Sequence, residues 1–267
     1  MALRFLNRDI FNAEFIYTER PGHAFEIARS VLNSDVDIVI AVGGDGTINE
    51  IATVVEGTDK IFGIIPYGSG NGLARSLNIP LNDKLAIMRL NELRINRIDT
   101  GTFNDRKFFN IAGIGFDAHI SAIFAENIKR GLWGYVKTTL TEISKYRFQH
   151  YHLENDGTIY ERDAFMISIA NSSQFGNNAY IAPFASLKDG VLDTCVIKPF
   201  PLYQFPVMGY RMFSKSTHKS KYVEIIGSKK IRIIREFDGA IHLDGEPVQM
   251  GTELNIGIKP LSLSVLN

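Results

Sequence analysis

The residues of this chain best suited to chemistry lie in one glycine-rich stretch, Val42-Gly43-Gly44-Asp45-Gly46-Thr47-Ile48-Asn49-Glu50. It follows an apolar run at residues 37–42 that indicates a buried strand, and a helical pattern follows it. Glycines let backbone N–H groups approach a bulky anion closely, and a helix N-terminus attracts the same charge. The stretch therefore predicts a phosphate cradle. The alternative is an ordinary strand-turn-helix connection whose glycines serve only its geometry.

One carboxylate, that of Asp45, belongs to the predicted cradle. Alone it would repel a phosphate, so its presence indicates that a divalent cation or a proton-bearing acceptor joins the site. A phosphate, a cation and an acceptor together favour phosphoryl transfer over passive nucleotide binding.

A second glycine cluster follows the next predicted strand and reads Pro66-Tyr67-Gly68-Ser69-Gly70-Asn71-Gly72. Its spacing does not fit the dinucleotide fingerprint, because Leu73 and Arg75 stand where a third glycine is required. Neither cluster continues into the Gly-Lys-Ser/Thr of a Walker loop. Ser69 and Asn71 offer neutral hydrogen bonds to a nucleotide. Two such loops after consecutive strands favour a nucleotide site over turns alone.

The elements that must position these loops alternate along the first hundred residues. Strands are predicted at residues 11–17, 36–42 and 60–65, and helices at 22–32 and 47–55. Strands separated by helices pair in parallel, and right-handed crossovers bring the loops that follow them to one edge of the sheet. We therefore expect Thr18 to meet both glycine clusters there.

The pattern changes at about residue 97 to short alternating runs separated by Gly and Asp-Gly turns, which is typical of an antiparallel sandwich. A helical insertion at about 122–146 interrupts these runs, which span residues 107–111, 162–170, 190–197, 222–226 and 231–235. The predicted fold class is α/β plus all-β. A parallel α/β domain at residues 1–97 precedes a β-sandwich domain at residues 98–267.

The composition excludes several classes of protein. The 29 basic residues balance 29 acidic ones, which argues against a nucleic-acid partner. The single cysteine, Cys195, excludes an internal disulfide and fits a reducing compartment, and the strand pattern around it indicates a buried position. No apolar run has membrane-spanning length and the first residues do not resemble a signal peptide, so we expect a cytoplasmic protein.

Three motifs together resemble the diacylglycerol kinase catalytic domain family, which includes bacterial soluble lipid kinases and sphingosine kinases. They are the two glycine clusters and a late Leu243-Asp244-Gly245-Glu246-Pro247. The resemblance implies that ATP binds between the two domains and that a lipid hydroxyl is phosphorylated. The implied nucleotide contacts are Gly43, Gly44, Asp45, Gly46, Thr47, Ile48 and Asn49, which cradle the phosphates, with Thr18, Gly68, Ser69 and Asn71.

The late motif supplies the implied catalytic groups. Glu246 matches the family's proton acceptor, and Asp244 and Asp45 would organise Mg²⁺ and water beside it. Clustered carboxylates raise the pKa of at least one of them, whereas Mg²⁺ opposes that rise. On the residues alone, Asp244-Gly245 also fits a hairpin turn, since Asp156-Gly157, Asp189-Gly190 and Asp238-Gly239 show the same dipeptide.

The resemblance also implies a structural Mg²⁺, held by Asp189 with Ser186 and Val191. A single carboxylate binds such a cation weakly, so a simple turn is the alternative. The histidines show no spacing typical of a zinc site.

Lipid contact is predicted at two places. Residues 201–213 are rich in aromatic residues and methionine, and Lys215, Lys219 and Lys221 follow them, which suits a membrane surface unless the segment packs as a core helix. The helical insertion is the other candidate, through Phe124, Ile128, Leu132, Trp133 and Tyr135. We expect a lipid substrate at a membrane surface and transient peripheral association with it. Homodimer formation stays open.

Two departures from the family pattern leave alternatives. The family's opening strand, its Asn-Pro phosphate loop and the following helix have no counterpart here, so we expect an unpaired strand edge beside the nucleotide loops. Gly72 stands where bacterial diacylglycerol kinases have Asp, which is more similar to the sphingosine kinase branch. A soluble-substrate kinase of the NAD kinase type and a non-catalytic lipid- or nucleotide-binding protein are the other interpretations.

Overall fold

The computed structural model of the protein describes residues 2–126 and 139–267. Its labelled helices are α1 (Ala2–Phe5), α2 (His23–Ser30), α3 (Asp45–Val55), α4 (Gly72–Ser76), α5 (Asp83–Leu90), α6 (Phe116–Glu126) and α7 (Phe205–Phe213). Its strands are β1 (Ile38–Gly43), β2 (Ile61–Pro66), β3 (Ile95–Phe103), β4 (Arg106–Phe108), β5 (Ile111–Gly115), β6 (Gln149–Asn155), β7 (Thr158–Ala164), β8 (Met166–Ala170), β9 (Leu192–Ile197), β10 (Val223–Ser228), β11 (Lys230–Arg235), β12 (Gly239–Leu243), β13 (Glu246–Met250) and β14 (Glu253–Leu266).

The strands form two sheets, and the predicted fold class is confirmed. One sheet runs in the order β1-β2-β14-β11-β6-β7, with β3 and β4 joined to β14, and the other runs in the order β10-β9-β8-β5-β12-β13. β1 and β2, which are connected by α3, pair in parallel, whereas the second sheet is antiparallel throughout. β1 lies at the edge of its sheet, beside the glycine loops.

The prediction of a strand at residues 11–17 is wrong. This segment has no strand structure, and Tyr17 is 85 % exposed. Phe11 packs against the core at one end, but the side chains of Phe15 and Ile16 are exposed. Alternation of apolar residues builds a strand only where one face is buried and a neighbouring strand takes the backbone hydrogen bonds, and neither condition holds here.

The last strand, β14, joins the two halves of the chain. Its first part pairs with β11, and its last residues Val265 and Leu266 pair in parallel with Phe62 and Gly63 of β2. A shift of register against β3 between Lys259 and Leu263 lets the strand bend from one half into the other. The end of the chain is therefore part of the α/β core, and the domain boundary at about residue 97 stays a prediction.

The sandwich core lies between the two sheets. Residues such as Phe103, Tyr151 and Leu153 from one sheet meet Ile167 and Ile241 from the other, and all are fully buried. A further apolar cluster covers the outer face of the second sheet, beneath α6 and α7. Cys195 belongs to that cluster, so the prediction of a buried position is confirmed.

Two of the predicted strands are each divided in the structure into two strands, and these two strands belong to different sheets. The run at 107–111 divides into β4 and β5, and the run at 162–170 divides into β7 and β8. At the second break, Phe165 donates its N–H to Ile197 and accepts from Phe116. These short breaks carry the chain from one sheet to the other, which periodicity alone cannot reveal because it does not record which sheet a strand joins.

The predicted helical insertion begins earlier than expected, because α6 starts at Phe116. Residues 139–142 are also helical. The candidate lipid contacts Ile128, Leu132, Trp133 and Tyr135, and the side chain of Phe124, lie outside the described residues. Within residues 2–126 and 139–267, no helix has both the length and the hydropathy needed to cross a bilayer.

Candidate active site

The two glycine loops lie side by side at the carboxyl ends of β1 and β2. The N–H of Tyr67 donates to the carbonyl of Gly43 at 2.7 Å, which extends the strand pairing into the loops. A Cβ built on Gly68 would stand 2.6 Å from the Cα of Gly44, so the backbones touch where any side chain would force them apart. The glycines therefore allow the backbones of the two loops to touch. They also leave the backbone surface of the loops open.

Asp45 ties the first loop to the second. Its Oδ2 accepts from the N–H of Asn71 and its Oδ1 from the N–H of Gly72, both at 2.9 Å. Burial raises the pKa of this carboxyl, while the two backbone hydrogen bonds oppose the rise. Asn71 has a left-handed backbone with φ of 52° and closes its own turn through hydrogen bonds to Gly68. Asp45 thus determines the shape of both loops.

The N-terminus of α3 lies where the two glycine loops meet. Gly44 is the N-cap and has no side chain to accept from the first turn, and the helix hydrogen bonding begins with Ile48 N–H donating to Gly44. The N–H groups of a helix's first turn have no acceptor within the helix, and they carry its partial positive charge. This end of α3 is therefore suited to a phosphate, as the sequence predicts.

Asp244 joins the late motif to both halves of the chain. Its Oδ1 accepts from the N–H groups of Asn110 and Ile111, and its Oδ2 accepts from the N–H of Phe109 and the Nδ2 of Asn49, at distances of 2.7–3.1 Å. Burial raises the pKa of Asp244, and these hydrogen bonds oppose the rise. Each oxygen already has two donors, which favours a positioning role over direct coordination of a metal ion.

Glu246 is the exposed carboxylate of the site. Its Oε1 lies against the first turn of α3, since a Cβ built on Gly46 would be 3.2 Å from it. The late motif therefore reaches across to the glycine loop, although the two are far apart in sequence. A carboxylate here can accept a proton beside a phosphate held at the helix end.

A buried pair that sequence reasoning missed supports the turn between Asp244 and Glu246. The N–H of Gly245 donates to Nδ1 of His242 at 3.3 Å, and Nε2 of His242 lies 3.2 Å from Oδ2 of Asp117. Because Nδ1 accepts, the ring proton is on Nε2, where it can donate to Asp117. The only sequence signal was a histidine two residues before the Asp-Gly turn.

Gly72 has a local reason to be glycine. A Cβ there would stand 2.7 Å from the carbonyl oxygen of Phe175, and the side chain of Asn110 closes the same space. Asn110, which sequence reasoning also missed, donates to the carbonyl of Gln174 at 2.9 Å. The departure from the bacterial pattern at this position therefore follows from the close approach of the segment at residues 174–176.

A groove of about 340 Å³ lies beside the second loop, and Tyr67, Ser69 and Arg75 line it. The ring of Tyr67 is exposed, and Arg75 donates through Nε to the carbonyl of Gly70. Thr18 is exposed and lies in the segment without strand structure. The loop that follows it is held to α3, because Glu50 accepts from the N–H groups of Gly22 and Phe25.

No metal centre is formed by the side chains that the structure describes. Among those residues, no group of three or more His, Cys, Asp or Glu side chains is arranged to hold an ion. At the second predicted Mg²⁺ position, Oδ1 of the exposed Asp189 accepts from the N–H of Val191 at 3.1 Å, and Ser186 Oγ accepts from the N–H of Lys188. These contacts account for a simple turn, and the Mg²⁺ at this position stays a prediction.

Comparison with known proteins gives consistent matches along the chain. The model of the diacylglycerol kinase catalytic domain matches residues 2–103, and that of the YegS C-terminal NAD kinase beta sandwich-like domain matches residues 110–267. A probable lipid kinase YegS-like of Chromohalobacter salexigens is 28% identical over 85% of this chain and 75% of its own. The diacylglycerol kinase of Bacillus subtilis is 26% identical over 84% and 76%.

Solved structures share the fold. A putative diacylglycerol kinase from Bacillus anthracis superposes with a TM-score of 0.79 at 23% identity, covering 94% of this chain and 83% of that one. An NAD kinase from Archaeoglobus fulgidus, solved in complex with ATP, is a more distant neighbour, with a TM-score of 0.50 at 15% identity over 94% of this chain and 90% of that one.

Proposed function

Because this chain belongs to the diacylglycerol kinase catalytic domain family, we propose that it transfers the γ-phosphoryl group of ATP to a hydroxyl group of a lipid, such as diacylglycerol or a sphingoid base. The observation that carries the proposal is the position of Glu246, an exposed carboxylate against the first turn of α3. A proton acceptor and an anion site within reach of one another are what hydroxyl phosphorylation requires.

ATP would lie along the glycine loops with its phosphates at the N-terminus of α3. The residues Gly43 to Asn49 would surround the phosphates, and Gly68, Ser69 and Asn71 would contact the nucleotide from the second loop. The groove beside Tyr67 offers an exposed aromatic face for the base. Thr18 is proposed as a further contact to the nucleotide.

In the proposed reaction, the lipid hydroxyl oxygen attacks the γ-phosphorus while Glu246 takes the hydroxyl proton and ADP leaves. Asp45 and Asp244 contribute by holding other parts of the site in place. Asp45 holds the two loops in register, and Asp244 holds the turn that presents Glu246. Phosphoryl transfer depends mainly on such positioning and on stabilisation of charge, so small displacements of these groups affect the rate strongly.

Mg²⁺, when bound, would neutralise negative charge on the phosphates of ATP. The donor set fits a hard cation in part: each oxygen of Asp45 accepts one N–H from the second loop, whereas each oxygen of Asp244 already has two donors from other segments. Asp45 would therefore be the protein ligand, which leaves Glu246 to accept the hydroxyl proton.

A transfer assay with radiolabelled ATP tests this function. The acceptors are diacylglycerol, sphingosine and monoacylglycerol in detergent micelles, with NAD as the soluble comparison. Radiolabel in a lipid product supports the proposal. Labelled NAD in the absence of any lipid product would indicate the NAD kinase alternative, and ATP binding without transfer to any acceptor would indicate a non-catalytic binding protein.

A further inference from the structure

The exposed face of α7 is apolar, although surface helices normally present polar residues to water. Tyr203 just before the helix, and Val207, Tyr210 and Phe213 within it, recur every three or four residues and therefore share one face. The side chains of Tyr203, Tyr210 and Phe213 are 73%, 72% and 59% exposed. The opposite face carries the buried Met208 into the cluster beneath the helix, so α7 has apolar residues on both sides.

Every charged residue in α7 and in the segments next to it in the sequence is a cation. The sequence from residue 199 to residue 223 has no Asp or Glu, and Arg211, Lys215, Lys219 and Lys221 lie in it. The three lysines are exposed. An apolar helix face followed in the sequence by these exposed lysines, its lysine border, complements a surface that has an apolar interior and anionic headgroups, which is the chemistry of an anionic phospholipid bilayer.

The same helix is connected to the candidate active site. The carbonyl of Met212 in α7 accepts from the N–H of Tyr180 at 3.0 Å. The chain before Tyr180 returns to the glycine loops, because a Cβ on Gly176 would stand 2.9 Å from the carbonyl oxygen of Gly70. Asn177 accepts from Arg75 at 3.4 Å in the same segment. A single short segment, residues 174–180, therefore links α7 to the second nucleotide loop.

We propose that the apolar face of α7 and its lysine border dock this protein on anionic phospholipid membranes, which brings the active site to a lipid acceptor that stays in the bilayer. This inference rests on the proposed lipid kinase function. Tyr203, Tyr210 and Phe213 enter the boundary between headgroups and acyl chains, while Lys215, Lys219 and Lys221 contact the phosphates.

Vesicle sedimentation tests the docking surface directly, with the full chain and no nucleotide. Vesicles of phosphatidylcholine with about 30% phosphatidylglycerol are compared with vesicles of phosphatidylcholine alone, at about 0.1 M salt. The wild-type protein is expected to bind the anionic vesicles at least about tenfold more tightly, and the Tyr210→Ser/Phe213→Ser variant is expected to lose at least about tenfold in that affinity.

The control removes an aromatic side chain of similar exposure from the other end of the second sheet. Phe237, before β12, is 65% exposed, and Phe237→Ser is expected to bind vesicles as the wild type does. Equal binding by Tyr210→Ser/Phe213→Ser and the wild type, or failure of the wild type to bind anionic vesicles, would overturn the proposal. A dimer that dissociates in the double variant, without vesicle binding, would show instead that this face joins two copies of the chain.

Activity separates failure of the docking surface from failure of the kinase function. With a short-chain diacylglycerol dispersed as monomers, the double variant is expected to match the wild type, whereas with long-chain diacylglycerol in anionic vesicles it is expected to lose roughly tenfold or more. Equal activity of the two proteins on vesicle substrate would contradict the docking role alone. No transfer by the wild type to either substrate would contradict the kinase function, whatever the vesicle binding.

Discussion

The side-chain amide of Asn49 donates to Oδ2 of Asp244 at 2.7 Å, although 195 residues separate them. Asn49 belongs to the first glycine motif and Asp244 to the late motif, so this hydrogen bond joins the phosphate site to the turn that carries Glu246. The same carboxylate accepts three successive N–H groups where the chain passes from β4 to β5. Asp244 is therefore a common anchor for three segments.

Replacement of this anchor is expected to destabilise the fold. Asp244→Asn keeps the size of the side chain but replaces one acceptor oxygen by an NH₂ group, which leaves backbone N–H groups without a partner. We expect the free energy of unfolding to fall by about 2–4 kcal/mol, measured by urea denaturation. The matched control is Asp189→Asn, in an exposed Asp-Gly turn, for which a change below about 0.5 kcal/mol is expected. Equal effects at the two positions would argue against the anchor.

A methyl group at the contact between the glycine loops is expected to weaken nucleotide binding. In Gly68→Ala the new Cβ meets the backbone of Gly44, which cannot move without displacing the start of α3. We expect ATP affinity, measured by calorimetry, to fall about tenfold or more, with a loss of stability of about 1–3 kcal/mol. Gly251→Ala, whose Cβ would have its nearest neighbour at 3.9 Å, should bind ATP normally. Unchanged affinity in Gly68→Ala would remove the loop contact from the nucleotide site.

Glu246→Gln is expected to separate chemistry from binding. The amide fills the same space but cannot accept the hydroxyl proton, so kcat for lipid phosphorylation should fall by about 10²–10⁴. The affinity for ATP should change little, because the helix end and the glycine loops are intact. Single-turnover assays and calorimetry check the two quantities on the same protein. Retention of the wild-type kcat would eliminate Glu246 as the proton acceptor.

His242 is expected to act on the rate through the turn that it supports. His242→Phe fills the ring space but loses both hydrogen bonds, so kcat should fall about 10- to 100-fold while the KM for ATP is unchanged. In His242→Gln the amide oxygen can accept from Gly245 and the NH₂ group can donate to Asp117, so this variant should recover most of the rate. Equal rates in the two variants would mean that the ring acts only by packing.

An ion pair between Arg162 of β7, in the first sheet, and Glu224 of β10, in the second sheet, is expected to make stability depend on acid pH. Hydrogen bonds and charge from Arg162 and Lys198 lower the pKa of Glu224 to about 2, although partial burial opposes the shift. Because the folded pKa is depressed, this stabilisation is complete above the unfolded value of about 4.5 and disappears as the pH falls through about 2.

The comparison of wild type with Glu224→Gln measures this effect. At pH 7 the variant should be less stable by up to about 3 kcal/mol, and the difference should shrink steadily between about pH 5 and pH 2. Urea denaturation across this range gives the free energy of unfolding. Glu14→Gln, which removes an exposed carboxylate, should unfold as the wild type does. A difference that is the same at pH 7 and pH 2 would assign the effect to packing.

Much of the fold was open to prediction because its signals are local. The glycine loops after β1 and β2 and the alternating runs of the sandwich depend on residue order over ten residues or fewer. The wrong predictions lie where the outcome depends on a partner element outside that range. Residues 11–17 alternate like a strand but have no neighbour to pair with, and residues 107–111 read as one strand because nothing in the sequence marks the passage between sheets at Phe109 and Asn110.

The sequence by itself determined which residues are available to the site, since the glycine clusters and the Asp-Gly-Glu motif are contiguous in the chain. Only the tertiary structure decided how the carboxylates divide their roles. Asp45 and Asp244 accept backbone N–H groups from other segments, whereas Glu246 stays exposed beside α3. Those backbone donors come from residues up to 135 positions away, and no local pattern records which oxygen they will reach. His242 and Asp117 stayed hidden for the same reason, because their pairing depends on how α6 packs against β12.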